Sequence, residues 1–206
     1  MTSRSSEEAR VRVGARVPVT RAEGPGARFA LWLQGCSLRC AGCCNPRLFE
    51  AEGGTRVSVA DLLIEVAAVR AQVEGVTLLG GEPFEQAEAL APFASGVRAL
   101  GLSVLTFSGY RREELHSRRD AGVRALLAAT DVLVDGRYEA TRPETSRLWA
   151  GSTNQRFHYL TSRYSAEIET PRGDDALRTV EVRLGSDGTV AVNGWPAIPV
   201  GWASPR

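Results

Sequence analysis

The sequence predicts an α/β fold, and three observations carry that reading. Short apolar runs alternate with longer stretches whose apolar residues recur at helical spacing, the order that lays strands side by side in a parallel sheet with helices over it. Each core run is followed directly by a loop of unusual chemistry. The 206-residue length, with 43% apolar and 24% charged residues, suits one domain with a modest extension and excludes a mostly disordered, collagen-like or coiled-coil chain.

The elements follow in order. Behind a polar leader, Met1 to Arg10, the segment Val11 to Val19 alternates apolar with polar or small residues as a half-exposed strand does, and Gly24-Pro25-Gly26 breaks the chain. Phe29 to Leu33 reads as a more buried strand and leads into a cysteine loop, Gln34 to Pro46. After Gly53-Gly54 a helix is predicted from Asp61 to Val73. Ser58 caps it with Asp61 three residues on, and Leu62, Val66, Val69 and Val73 form its apolar face. Further strands are predicted at Val76 to Leu79, Ser103 to Phe107 and Val132 to Val134, separated by helical stretches around Gln86 to Leu100 and Arg112 to Ala129. Beyond Arg172 the pattern changes. Arg178 to Leu184 and Thr189 to Val192 flank Gly185-Ser186-Asp187-Gly188, a hairpin signature, and the tail is rich in proline and tryptophan. The chain therefore divides into a core domain with its leader, 1–172, and a small C-terminal extension with a β-hairpin, 173–206.

Composition narrows the chemistry. The 25 basic and 24 acidic side chains leave a net charge of +1, so the cationic surplus of an electrostatic nucleic-acid binder is missing and none is expected as a partner. No lysine occurs, which removes Schiff-base and phosphate-loop mechanisms that need one. No run approaches the ~20 apolar residues of a membrane span. The polar start also lacks the apolar core of a secretory signal, so the expected location is the cytoplasm, away from any membrane.

The four cysteines, Cys36, Cys40, Cys43 and Cys44, lie too close together to staple distant parts of a fold, and in a reducing compartment such clustering points to metal chemistry. Cys36, Cys40 and Cys43 have the spacing C-x3-C-x2-C, which brings three thiolates to one soft metal centre. Clusters held purely for electron transfer take four protein ligands, whereas three leave one iron open to a small molecule. A structural zinc site and merely buried cysteines are the alternatives. Zinc wants a closed tetrahedral set, and its second cysteine pair or histidines are missing, with His116 and His158 far along the chain.

The other strand ends carry Gly80-Gly81-Glu82-Pro83, Ser108-Gly109-Tyr110 and Asp135-Gly136-Arg137. The carboxyl ends of parallel strands form the reactive face of α/β folds, so these loops are candidates to converge with the cysteines. Glycines let a ligand approach the backbone, and Glu82 offers a carboxylate to a cationic amine. By itself the Gly-Gly-Glu run also fits a plain turn before a helix.

Together these residues resemble the radical S-adenosylmethionine superfamily and, within it, the small activating enzymes of anaerobic ribonucleotide reductase. Gly24-Pro25-Gly26-Ala27-Arg28, Trp32-Leu33-Gln34-Gly35-Cys36 and Gly42-Cys43-Cys44-Asn45-Pro46 are similar to that subgroup's opening segment. Gly80 to Phe84 is similar to its cofactor loop, and Asp131 to Tyr138 and Gly151-Ser152-Thr153-Asn154-Gln155-Arg156 to its later segments. The resemblance runs over residues 11 to 164. It implies a partial (β/α) TIM-like barrel with an open side, and a [4Fe–4S] cluster on Cys36, Cys40 and Cys43 whose fourth iron chelates S-adenosylmethionine. Gly80, Gly81 and Glu82 would hold the methionine end, Gly42, Cys43 and Cys44 would line the adenosyl side, and Ser108 with Gly109 would approach the ribose. An external one-electron donor of flavodoxin or ferredoxin type would feed the cluster. A 5′-deoxyadenosyl radical would then take hydrogen from a glycine of a partner glycyl-radical enzyme such as anaerobic ribonucleotide reductase.

One departure stands out: Cys44 occupies a position where activases typically have tyrosine or histidine. It is read as packing beside the adenine, because adjacent cysteines rarely both reach one cluster with good geometry. A radical enzyme acting on a peptide or small molecule is the competing reading, and a non-catalytic iron–sulfur or zinc-binding interaction module is the competitor of another class. Among the remaining residues, Arg111, Arg112, Arg118 and Arg119 could dock an acidic partner or form a solvated helix face. Trp149, Trp195 and Trp202 read as covers for core edges. Asp135 either faces the site or makes a turn before Gly136, and Asn154-Gln155-Arg156 would meet the partner's glycine loop by resemblance.

Overall fold

The computed structural model describes residues 9–171, 179–188 and 190–194. Its strands and helices are β1 (Arg10–Thr20), β2 (Arg28–Leu33), β3 (Thr55–Ser58), α1 (Val59–Ala68), β4 (Gly75–Gly80), α2 (Ala87–Ala99), β5 (Ser103–Ser108), α3 (Arg112–Ser117), α4 (Ala121–Ala129), β6 (Val132–Asp135), β7 (Arg156–Tyr159), β8 (Val180–Leu184) and β9 (Val190–Gly194). Seven strands make one mixed sheet in the order β3-β1-β2-β4-β5-β6-β7, and β8 pairs with β9 alone. The α/β class is as the sequence predicts. The parallel set expected of a (β/α) barrel is limited to β2, β4, β5 and β6. Antiparallel β1 and β3 extend one side of it and antiparallel β7 ends the other, so the described sheet is open.

Every residue of β2 and of β6 is buried, as befits strands covered on both faces. On one face Phe29, Leu31, Val76, Leu78, Val104 and Leu133 pack with α1, α2 and α4 through Leu62, Val66, Leu90, Phe93, Val97 and Leu126. The opposite face carries Ala30, Trp32 and Leu79 with Val17 and Leu48, and Leu105, Val132 and Val134 with Phe157, Tyr159, Tyr164 and Ile168. The side chains of β2 thus alternate between a helical layer and a layer made of loops. At the strands' amino ends on the loop side sits Arg28, fully buried. It donates to Thr77 Oγ1 at 3.2 Å, Ser103 Oγ at 2.6 Å, Tyr164 Oη at 3.1 Å and the Val76 carbonyl at 2.7 Å, joining β2, β4, β5 and the 160s loop across the sheet floor.

Several local expectations hold. Ser58 caps α1, accepting from the Asp61 N–H at 3.0 Å, although the helix begins at Val59 and leaves Val69 and Val73 beyond its end. The stretch Arg112 to Ala129 is two helices instead of one, because Asp120 caps a new start by accepting from the Val123 N–H at 3.0 Å. Edge strands β3 and β7 were not predicted; both are four residues long and mostly unburied, too short and too polar for an alternation signal. The hairpin forms as predicted over β8 and β9, while Arg178, Thr189 and the tail with Trp195 and Trp202 lie outside the described residues. It docks on the end of β1 and the loop after it. Asn193 Nδ2 donates to Thr20 Oγ1 and to Glu23 Oε1, each at 3.0 Å. Among the described residues no helix is long and apolar enough to cross a membrane.

Candidate functional site

The chain leaves β2 at Leu33 and enters the cysteine loop under tight backbone control. The Gln34 N–H donates to the Arg12 carbonyl at 3.0 Å, Gly35 N–H to Leu48 at 2.9 Å and Cys36 N–H to Phe49 at 3.0 Å, so the outgoing and returning legs are zipped together. Gln34 Nε2 adds donations to the Glu50 carbonyl at 2.6 Å and the Arg47 carbonyl at 3.2 Å. Between the legs, Gly42 adopts φ +76°, and a Cβ there would come within 3.1 Å of Ala140 Cβ. The loop reverses without a side chain at that point, and the Cys43 N–H closes it on the Cys40 carbonyl at 3.2 Å.

The Gly-Gly-Glu run meets this loop through the backbone. Gly81 N–H donates to Leu33 O and Glu82 N–H to Gly35 O, both at 2.8 Å. A Cβ on Gly81 would lie 2.3 Å from Gly35 O, and one on Gly80, at φ +100°, 2.7 Å from Trp32 Cβ. Both glycines are therefore required by close approach between β2 and β4. Glu82 is buried, 1% exposed, and hydrogen-bonded at both oxygens, with acceptor capacity left on Oε2: Oε1 accepts from Phe84 N–H at 3.0 Å and Ser108 Oγ at 2.9 Å, and Oε2 from Gly109 N–H at 2.8 Å. Burial pushes its carboxyl up to about 7 against the opposing pull of those hydrogen bonds. Ser108 and Gly109, expected near a ribose, thus act first on Glu82.

A cavity of about 1290 Å³ opens on the loop face of the sheet. Cys36, Cys40, Cys43 and Cys44 line one wall, and Gly80, Gly81, Glu82, Ser108 and Gly109 the adjoining one. Of the predicted site residues only Gly42 is not in the lining; it turns the loop and faces Tyr138 and Ala140. Cys36, Cys40 and Cys43 are half-buried and Cys44 is exposed. The Asn45 N–H points at Cys43 Sγ at 3.4 Å, and Asn45 Nδ2 at Cys44 Sγ at 3.3 Å. Burial raises the Cys36 thiol. A contact with Cys44 lowers the Cys43 thiol to about 6 and raises that of Cys44, so Cys43 is the readier thiolate of the adjacent pair.

Asp135, His116, His158 and Asn154 lie outside the cavity lining, whereas Trp149 and Gln155 belong to it. Asp135 is buried and accepts from the Arg112 N–H at 2.5 Å. His158 Nε2 approaches Asp135 Oδ2 to 2.9 Å but out of line for a hydrogen bond, so its Nε2 has no hydrogen-bond partner. His116 accepts from Arg112. Neither histidine joins the cysteines. Asn154 and Gln155 are turned inward: Asn154 Nδ2 donates to the Arg137 carbonyl at 2.7 Å, and Gln155 links the Gly136 carbonyl to the Gly151 N–H. Trp149, at φ +56°, lines the cavity.

The scaffold behind the site leaves no signal in the sequence. Gln86 accepts from Arg12 N–H at 2.7 Å and donates to the carbonyls of Arg12 and Gln34 at 3.0 and 2.9 Å. Glu85 accepts from Ser37 N–H at 3.1 Å and from Tyr110 Oη at 3.0 Å. Both follow Pro83, Gln86 at the start of the helical stretch the sequence predicts, and a polar pair there reads as solvated surface.

Three thiolates on one loop, opening on a large cavity with glycine backbone and a buried carboxylate beside them, suit a polynuclear centre better than a lone ion. A cluster offers each thiolate its own iron. A family model described as "4Fe-4S single cluster domain" matches residues 22–158. The chain belongs to that family. Its relatives include the anaerobic ribonucleoside-triphosphate reductase-activating protein of Haemophilus influenzae, 30% identical over 148 residues that cover 68% of this chain and 93% of the relative. The protein of the same name from Enterobacteria phage T4 is 32% identical over 146 residues, 68% of this chain and 88% of its own. That of Escherichia coli K12 is 28% identical over 150 residues, 69% and 95%. The expected kinship with the activating proteins is met. Every member of the cavity wall named above lies within the span matched to the 4Fe–4S single cluster domain, whereas β8 and β9 lie beyond it.

Proposed function

We propose that this chain is a radical S-adenosylmethionine enzyme that activates an anaerobic ribonucleotide reductase by installing a glycyl radical. The supporting observation is one cavity lined on adjoining walls by three half-buried cysteines and by Gly80, Gly81 and the buried Glu82. Cys36, Cys40 and Cys43 hold the cluster in this reading. When bound, the cluster supplies the electron that splits S-adenosylmethionine into methionine and a 5′-deoxyadenosyl radical, which takes hydrogen from a glycine of the partner.

The chain's own part is to bind, orient and shield. Gly80 and Gly81 let the methionyl group lie against backbone, and Glu82 takes its ammonium. Ser108 and the Gly109 N–H hold the Glu82 carboxylate in position, with the ribose passing over the same two residues. Cys43 and Cys44 form the adenosyl side, Cys44 as a packing residue, while Gly42 turns the loop that carries them. Trp32, Leu79 and Phe107 give the cavity an apolar floor that keeps water from the reactive carbon. The four parallel strands, with their carboxyl ends toward the cysteine loop, are read as the parallel portion of a partial barrel whose open side admits the partner's loop. An oxygen-sensitive centre with no lysine-based or histidine-based acid–base chemistry belongs in a reducing cytoplasm.

The test is anaerobic reconstitution with iron and sulfide, reduction with dithionite and addition of S-adenosylmethionine. Deoxyadenosine and methionine in equal amounts are expected, with a glycyl radical signal by electron paramagnetic resonance once an anaerobic ribonucleotide reductase is added. Cluster-loaded, reduced protein that forms no deoxyadenosine would instead be an interaction module. Deoxyadenosine without a radical on the reductase would mark a different hydrogen donor.

A further inference from the structure

The arginines between β5 and α4 form a charged surface that the chemistry above leaves unused. Arg111, Arg112, Arg118 and Arg119, with Arg137 after β6, set five guanidinium groups against Glu113, Glu114 and Asp120, in a chain whose total charge is +1. Two of those carboxylates are engaged locally: Glu114 pairs with Arg137, and Asp120 caps α4. Arg118 is not a loosely solvated side chain. Its guanidinium stacks on the Tyr110 ring at 3.8 Å, and that of Arg137 lies 5.8 Å from the same ring.

Tyr110 connects this surface to the cysteine loop. Its hydroxyl donates to Glu85 at 3.0 Å and lies 3.3 Å from Ser37 Oγ, next along the chain from Cys36. Its ring belongs to the helix-side core together with Leu115, and Tyr110 is absent from the cavity lining that holds its neighbours Ser108 and Gly109. Arg118 and Arg137 are thus linked through Tyr110 to Ser37, the residue beside Cys36, by a route outside the cavity lining.

We propose that this guanidinium-rich surface docks an acidic one-electron carrier protein, so that the electron arrives from the helix side while the hydrogen donor uses the cavity. The inference rests on the cluster reading above. In the step concerned the reduced carrier loses one electron and the cluster gains it; no bond forms or breaks and no proton moves on this chain. A carrier suits the place better than a substrate protein does, because electron transfer needs only nearness to the cluster, whereas hydrogen transfer needs access to the cavity. Charge complementarity then sets orientation and association rate.

The experiment titrates cluster-loaded protein with flavodoxin as the acidic probe over a range of salt. The variant with both Arg118→Glu and Arg119→Glu is expected to raise the flavodoxin Kd about tenfold and to abolish its salt dependence. Iron content and dithionite-driven reduction should stay at the wild-type level. Arg119→Glu alone, at an exposed position away from the Tyr110 ring, should shift Kd in the same direction by less, which keeps the test sound if the double variant loses packing. Equal Kd values for wild type and both variants overturn the proposal, as does wild-type binding indifferent to salt. A wild type that binds flavodoxin as expected yet makes no deoxyadenosine with dithionite refutes the function proposed above and supports the docking surface.

Discussion

Glu82 concentrates the chemistry of single residues. A carboxyl with a folded-state value of about 7 keeps its proton between about pH 4.5 and 7, where the unfolded chain has given it up. Stability of the ligand-free protein should therefore fall as pH rises through that window, by about 3 kcal/mol in all, and level off above it. Glu82→Gln should flatten the slope, read from urea denaturation midpoints between pH 4.5 and 8. Affinity for S-adenosylmethionine should run the other way, rising through pH 7 as the carboxylate forms, and a pH-independent Kd would sink the ammonium assignment. The cysteines separate in a similar way. Cys36→Ala, Cys40→Ala and Cys43→Ala should lose the cluster and Cys44→Ala should keep it, as judged by iron content and visible absorption after anaerobic reconstitution. Loss in the Cys44 variant would make that residue a ligand. The cysteine spacing was legible in the chain, since the three cysteines are local. The partners of Glu82 were not, because Ser108 and Gly109 reach it from 26 and 27 residues away.

Among the elements, the junction between β2 and β4 is tightly constrained. Gly81→Ala places a methyl 2.3 Å from Gly35 O and 2.8 Å from Leu33 O, and neither backbone group can step aside without moving the cysteine loop. A cost of about 2–3 kcal/mol is expected, together with weaker S-adenosylmethionine binding, measured by urea denaturation and by equilibrium binding. An alanine variant as stable as wild type would mean that the two loops are not in register. Strands β2, β4, β5 and β6 were readable as apolar runs because both faces are buried. Edge strands β3 and β7 were not, since their identity comes from pairing with β1 and β6 and their own sequences are largely polar. The single helix expected from Arg112 is cut by Asp120, whose capping preference outweighed the periodicity around it.

For the whole molecule, Arg28 is the tie between the halves. A fully buried guanidinium bonded to Thr77, Ser103, Val76 and Tyr164 joins three strands to the 160s loop, and burial lowers its pKa. Arg28→Ala leaves those acceptors unpaired around a void and should cost about 3–5 kcal/mol. Tyr164→Phe removes one contact and should cost about 1 kcal/mol. Guanidinium chloride midpoints compare the two, and equal effects would show that the floor does not depend on the cation. The hairpin β8–β9 adds a second long-range tie through Asn193, which closes one end of the cavity from outside the family match. The sequence marked it as an appendage with no place to dock.

By itself the sequence determined the α/β class, the order of the main strands, the cysteine spacing and the kinship, because each is written in local periodicity or in short contiguous motifs. The tertiary structure decided that the cysteine and Gly-Gly-Glu loops line one cavity, that Ser108 and Gly109 serve Glu82, and that the described sheet stays open between β3 and β7. Those outcomes depend on hydrogen bonds and close approaches between residues distant in the chain, and such contacts leave no periodic trace in the residues that make them.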